Sequence, residues 1–158
     1  MKIAKVNIVL DYKNDVFREL EINVENNLEV LHHSIVAAFN LNVEEMASFY
    51  SVDDDWNQET EFPLIAMDGQ SEEMKNVKIQ SLLSNIGDRL LYLHDFLVMW
   101  RFTIVVEEMK EDADGNILSF GEMPNESPNV QFVSDKNNED DESDEIAEFD
   151  EFDEFGEY

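Results

Sequence analysis

The sequence KVNIVLDYKNDVFRELEINV, residues 5–24, has the pattern of a β-hairpin. Apolar side chains alternate with polar ones on both sides of a polar turn at Lys13-Asn14-Asp15. Because successive side chains of a strand point to opposite faces, this alternation places the apolar side chains on one face. Residues 5–24 therefore predict two antiparallel strands, each with one face toward a core.

A helix is predicted directly after this hairpin. Asn27 can cap it, and the next apolar residues share one helical face, namely Leu28, Leu31, Ile35 and Phe39. Further alternation and turn residues predict a second helix at 77–86 and strands at 48–52, 62–67, 90–96, 100–109 and 117–120. This order of elements predicts an α+β fold, a two-layer sandwich of a mainly antiparallel sheet with two helices.

Negative charge dominates the composition. The 158 residues include 38 acidic and 10 basic side chains, which gives a net charge of −28. Such a chain repels nucleic-acid phosphates and anionic lipids, so we expect neither direct nucleic-acid binding nor membrane binding. The absence of cysteine excludes disulfides and zinc–thiolate sites. Since neither a signal peptide nor a membrane-spanning run is visible, we expect a cytoplasmic protein.

The C-terminal segment differs from the rest of the chain. Residues 134–158 contain 13 acidic side chains, one basic side chain and no valine or leucine. A segment of this composition cannot bury enough apolar surface to offset the entropy of ordering it. We therefore expect an α+β domain over residues 1–133 and a disordered acidic-aromatic tail over residues 134–158.

Aromatic residues recur at every third position near the end of this tail, at Phe149, Phe152, Phe155 and Tyr158. They are our candidate partner-binding residues, because exposed phenylalanine does not improve solubility and apolar anchors give a charged segment specificity. The alternative is a tail that only solubilises the protein.

The sequence predicts no catalytic residue, no cofactor-binding residue and no metal ligand. His32 and His33 are neighbours on the predicted helix, so their side chains diverge by about 100° and cannot share a metal; a surface role is expected. His94 and Asp95 are neighbours on a predicted strand and leave its opposite faces. An enzyme is therefore unsupported, although the sequence does not settle the question.

Residues 87–104, GDRLLYLHDFLVMWRFTI, resemble the signature G-x-x-x-x-Y-x-Y-D-F-G-D-x-W-x-H of the plasmid pRi open-reading-frame-three-like family. The matching residues are Gly87, Tyr92, Asp95, Phe96 and Trp100. Residues 28–39, LEVLHHSIVAAF, are similar to the helix L-x-x-L-H-x-x-I-x-x-A-F of the same family. The resemblance covers roughly residues 6–108 and implies a compact α+β fold, found on plasmids and beside transposon passenger genes, with no established activity.

The signature is incomplete in this chain. Leu97 and Val98 replace its Gly-Asp pair, and Phe102 replaces its final histidine. We therefore expect the matching residues to form the core of a hairpin and not a polar site.

These features together predict a non-enzymatic acidic interaction protein, associated with mobile genetic elements, that binds a basic protein such as a nucleic-acid-binding protein. Two alternatives stay open. One is an inhibitor whose carboxylates mimic nucleic-acid phosphates, and the other is an uncharacterised enzyme.

Overall fold

The computed structural model of the chain describes residues 2–124. The predicted tail, 134–158, and its four aromatic candidates, Phe149, Phe152, Phe155 and Tyr158, lie outside the described residues. Within residues 2–124, no helix has the length and apolar character needed to cross a membrane.

Seven strands form one sheet in which every neighbouring pair is antiparallel. The strands are β1 (Ile3–Leu10), β2 (Phe17–Asn23), β3 (Ala47–Val52), β4 (Gln58–Pro63), β5 (Arg89–His94), β6 (Trp100–Lys110) and β7 (Ser119–Phe120). Their order across the sheet is β4-β3-β5-β6-β1-β2-β7. One α-helix, α1 (Leu28–Phe39), and two 3₁₀ turns, Met74–Asn76 and Ile79–Ser81, complete the described fold. The α+β class and the mainly antiparallel sheet are confirmed.

The predicted hairpin of residues 5–24 forms β1 and β2. Val6 pairs with Leu20, and the pairing continues from Ile3 to Val9. On its other side β1 pairs with β6, with a shift of register between Lys5 and Val6. The N-terminal strand therefore lies inside the sheet.

The core lies between one face of the sheet and α1. Val6, Ile8 and Leu10 of β1 are buried and belong to one cluster with the apolar face of the helix, Leu28, Leu31, Ile35 and Phe39. The Phe39 ring lies 4.6 Å from the Phe102 ring of β6, measured between ring centres. This is the helical face that the sequence predicts, and it positions His32 over the sheet.

The second helix predicted at 77–86 is wrong. Its apolar residues Ile79 and Leu83 are buried, but its backbone forms hydrogen bonds with another segment of the chain. The Val77 carbonyl accepts a hydrogen bond from Leu28 N–H at the start of α1, and Ile79 N–H donates to the Asn26 carbonyl. Because these backbone groups pair with residues 24–28, they are not available for an α-helical ladder.

Two predicted strands end elsewhere. The strand predicted at 62–67 overlaps β4, Gln58–Pro63, only at Phe62 and Pro63, because residues 64–71 form a loop. The strand predicted at 90–96 ends at His94 because Asp95 adopts a left-handed conformation with φ +63°. A left-handed residue breaks the extended backbone, so Phe96 lies in a loop and not on a strand face.

Candidate functional site

Two loops form an exposed groove beside β4. One is the loop 64–71 that follows β4, and the other is the loop 95–99 that connects β5 to β6. The groove has a volume of about 160 Å³ and is lined by Met46, Glu61, Pro63, Ile65, Met67, Asp68, Ser71 and Phe96. Since β4 is the edge strand of the sheet, the groove lies at a border of the fold.

The loop 95–99 is held in shape by Asp95. Its carboxylate accepts hydrogen bonds from the backbone N–H of Leu97, at 3.0 Å, and of Val98, at 3.3 Å. This arrangement is typical of an aspartate that stabilises a turn. It leaves the Leu97 side chain 88% exposed and the Phe96 side chain 43% exposed. The loop thus presents two large apolar side chains to solvent.

The loop 64–71 contributes the other apolar side chains. Ile65 and Met67 are 52% and 86% exposed. Asp68 organises the turn that follows, since it accepts hydrogen bonds from Gln70 N–H and Ser71 N–H, each at 2.9 Å. Ala66 N–H donates to the carboxylate of Glu73 at 2.9 Å. These bonds order the backbone from which Ile65 and Met67 project.

The charged side chains that line the groove are acidic. Hydrogen bonds from the Ser71 and Gln70 backbone lower the pKa of Asp68 to about 2, so this carboxylate is ionised at neutral pH. Glu61 accepts hydrogen bonds from the hydroxyls of Ser48, at 2.7 Å, and Tyr50, at 3.3 Å. The groove therefore combines apolar side chains with fixed carboxylates.

This combination suits a protein partner better than a small molecule. Pockets for drug-sized ligands usually have volumes of about 300 Å³ or more, and the groove is about half as large. Contiguous apolar side chains on a surface mark a site of protein interaction when polar groups surround them. The groove thus presents apolar side chains beside the carboxylates of Glu61 and Asp68.

A second group of polar side chains lies inside the core, between α1 and β5. His32 and His94 are each 1% exposed, and Tyr92 is fully buried. The Tyr92 hydroxyl lies 2.7 Å from His32 Nδ1, and His94 Nε2 lies 2.9 Å from the Asn42 carbonyl oxygen. The three rings form a triangle with centre-to-centre distances of 5.9, 6.2 and 6.4 Å. The sequence places His32 on the helix surface, whereas the structure places it in the core beside His94.

Burial keeps this group neutral. Desolvation lowers the pKa of His32 to about 4, with smaller contributions from His33 and His94. Desolvation also lowers the pKa of His94 and raises that of Tyr92. All three side chains are thus uncharged near neutral pH, as groups inside an apolar core must be. Their role in the fold is the tethering of α1 and the loop at Asn42 to β5.

The residues that carry the family resemblance separate in space. Tyr92 is in the core, and Trp100 is partly buried against it. Gly87, with φ +94°, lies in the turn before β5, and its N–H donates to the Val106 carbonyl. Asp95 and Phe96 belong to the exposed loop. Of these five residues, Phe96 alone lines the groove.

Sequence patterns missed part of the groove. Leu64, Ile65 and Met67 fit a strand pattern, and the polar turn Asp68-Gly69-Gln70 follows them. Pro63 was the available signal, because proline cannot donate to a sheet ladder and often ends a strand. Among residues 2–124, no group of three or more histidine, aspartate or glutamate side chains has an arrangement that could hold a metal ion.

Comparison with known proteins identifies relatives of unknown function. The sequence profile of the family described as plasmid pRiA4b ORF-3-like protein matches residues 2–154, which confirms the resemblance noted in residues 87–104. A crystal structure of a protein of unknown function from Methanosarcina mazei Go1 is similar, with a TM-score of 0.61 and 15% identity. The similarity covers 76% of this chain and 68% of that chain, and at this identity it shows the fold alone. No curated protein matches the sequence.

Proposed function

The chain belongs to the plasmid pRiA4b ORF-3-like family, and from this premise we propose that it is a non-enzymatic binding protein for a basic segment of another protein. The observation that carries the proposal is the groove beside β4, which Ile65, Met67 and Phe96 line together with the carboxylates of Glu61 and Asp68. The plasmid named in the family description supports a role in a mobile genetic element, and we expect the protein to act in the cytoplasm.

Charge complementarity selects the class of partner. The whole chain carries a net charge of −28, which attracts cationic proteins over a distance and accelerates their encounter. That attraction is screened beyond about 8 Å at physiological salt and does not select among cationic proteins. The apolar groove adds the selectivity, because inserted apolar side chains slow dissociation. The partner segment therefore combines lysine or arginine with at least one large apolar side chain.

The test uses two peptides of equal charge. One contains lysine and leucine arranged as an amphipathic helix, and in the other serine replaces every leucine. In titration calorimetry, we expect the leucine peptide to bind the full chain more tightly than the serine peptide does. Rising salt is expected to weaken the binding of both peptides.

Matched variants test whether the groove is the binding site. The substitutions Met67→Ser and Phe96→Ser remove exposed apolar side chains of the two loops that line the groove. Leu118→Ser is the control, because Leu118 is 64% exposed and directly precedes β7, the strand at the opposite border of the sheet. We expect the two loop substitutions together to weaken binding of the leucine peptide at least about fivefold, which corresponds to roughly 1 kcal/mol of binding free energy. The control is expected to leave this affinity unchanged. If both peptides bound equally well to all variants, attraction by charge would account for all of the binding and the proposal would be refuted.

Mimicry of nucleic acid is the narrower version of this function. In that case the partner is a nucleic-acid-binding protein, and the carboxylates of this chain occupy its phosphate-binding surface. Competition between the chain and a DNA duplex for such a partner distinguishes mimicry from binding elsewhere on the partner.

A further inference from the structure

The proton of His32 can be placed from its hydrogen bond to Tyr92. The hydroxyl oxygen and His32 Nδ1 are 2.7 Å apart. A phenol is a strong donor and a weak acceptor, whereas an unprotonated imidazole nitrogen is a good acceptor. The Tyr92 hydroxyl therefore donates to His32 Nδ1. A neutral imidazole carries one proton, so the proton of His32 is on Nε2, which becomes a donor.

The proton of His94 follows from its own partner. His94 Nε2 lies 2.9 Å from the carbonyl oxygen of Asn42. A carbonyl oxygen can only accept, so His94 Nε2 carries the proton and donates it. Nδ1 of His94 is then left with a lone pair and acts as an acceptor.

The two remaining nitrogens complement one another. Within the described part of the chain, neither His32 Nε2–H nor the lone pair of His94 Nδ1 has a hydrogen-bond partner, although both atoms are buried. One is a donor and the other is an acceptor. Buried polar atoms in native proteins are nearly always paired, with protein groups or with internal water. Two complementary atoms in one buried cluster indicate a common partner.

The two rings lie close enough for one small molecule to reach both. The ring centres of His32 and His94 are 6.4 Å apart, with an angle of 23° between the ring planes. A hydroxyl that accepts from one nitrogen and donates to the other spans two hydrogen bonds of about 2.9 Å each. We propose that one internal water molecule accepts a hydrogen bond from His32 Nε2–H and donates one to His94 Nδ1.

This water completes a chain of hydrogen bonds across the core. The chain runs from the Tyr92 hydroxyl through His32, the water and His94 to the Asn42 carbonyl, and so connects β5, α1 and the loop after α1. The lowered pKa of each histidine agrees with a hydrogen-bonded network in which both imidazoles are uncharged.

Nitrogen-15 NMR of the full chain, labelled at histidine and studied at neutral pH, tests both parts of the proposal. Long-range proton–nitrogen spectra are expected to show the Nε2–H tautomer for His32 and His94. The Nε2 proton of His32 is expected to show a nuclear Overhauser contact with a water molecule. It is also expected to exchange roughly tenfold or more slowly than the ring protons of the exposed His33.

Two variants give the controls. His33→Gln is expected to leave the signals of His32 unchanged, and His94→Leu is expected to abolish the water contact of His32. If His94→Leu does not fold, the spectra of the unsubstituted chain still decide. An Nδ1–H tautomer at either histidine would overturn the proposal, as would the correct tautomers with no water contact at His32.

Discussion

At the scale of single residues, the main feature is a set of polar side chains in an otherwise apolar core. Burying a polar group without a partner costs free energy, so each hydrogen bond in such a set matters more than a surface bond. The bond between Tyr92 and His32 joins two side chains that are almost completely buried. Removing one partner therefore exposes the full cost of burying the other.

The substitution Tyr92→Phe tests this cost. It keeps the ring in the core and removes the hydroxyl, which leaves His32 Nδ1 buried without its donor. We expect the free energy of unfolding to fall by about 1–3 kcal/mol in urea denaturation. Tyr12→Phe is the control, because Tyr12 is only partly buried at the edge of the same core. A loss no larger than that of the control would show that the His32–Tyr92 bond adds no stability.

The lowered pKa of His32 predicts how the stability of the fold depends on pH. Its pKa is about 4 in the folded chain, against an ordinary value of 6.5. Between these values the unfolded chain binds a proton that the folded chain does not, so stability falls as the pH decreases from 6.5 toward 4. The loss over this window is on the order of 3 kcal/mol, and it is absent above pH 6.5. His94 acts in the same direction, because burial lowers its pKa as well.

Unfolding experiments between about pH 7 and pH 5 measure this effect while most carboxylates remain ionised. We expect His32→Phe to reduce the slope of stability against pH and His33→Gln, on the exposed face of α1, to preserve it. An unchanged slope in His32→Phe would assign the pH dependence to other groups.

At the scale of elements, α1 is defined by its two ends. The Asn27 side chain accepts a hydrogen bond from Val30 N–H at 3.1 Å, and Asn40 ends the helix in a left-handed conformation with φ 54°. Asparagine suits both positions, because its side chain caps helices and its backbone tolerates positive φ. The Arg18 guanidinium donates to the Ala38 carbonyl, which ties the last turn to β2.

Asn27→Ala is expected to lower the free energy of unfolding by about 1 kcal/mol, because the Val30 N–H then loses its side-chain acceptor and keeps only the Asn27 carbonyl at 3.2 Å. Asn27→Ser keeps an oxygen that can accept this bond and should retain most of the stability. Chemical denaturation followed by circular dichroism compares the two variants. Equal losses in both would mean that the amide of Asn27 acts through something other than the cap.

At the scale of the whole molecule, the net charge and the apolar groove make different contributions to binding. The charge of −28 speeds encounter with any cationic protein. Selectivity comes from apolar side chains, for which the chain has two sources. One is the groove beside β4, and the other is the set of tail aromatics predicted from the sequence.

Replacing Phe149, Phe152, Phe155 and Tyr158 by serine leaves the net charge of −28 unchanged and so isolates the aromatic contribution. We expect at least about tenfold weaker binding of the lysine–leucine peptide, mainly through faster dissociation, as measured by surface plasmon resonance. Asn137→Ser with Asn138→Ser serves as the control in the same segment. Unchanged affinity after the aromatic substitutions would restrict the tail to a solubilising role and leave the groove as the binding site.

Elements with a local pattern could be predicted from the amino-acid sequence. Alternation in residues 5–24 defined β1 and β2, the cap and apolar face defined α1, and the signature in residues 87–104 identified the family. Each of these signals depends on side-chain spacing or turn chemistry within one short segment, which is the information that a sequence carries directly.

Tertiary structure decided the rest. Residues 77–80 have the apolar spacing of a helix, but their backbone pairs with residues 24–28, a contact that no local pattern contains. His32 became a core residue because β5 places Tyr92 and His94 beneath α1. The groove exists because strand order brings the loops 64–71 and 95–99 to one border. In each case the outcome depends on residues far apart in the chain, whose contacts form only when the sheet is assembled.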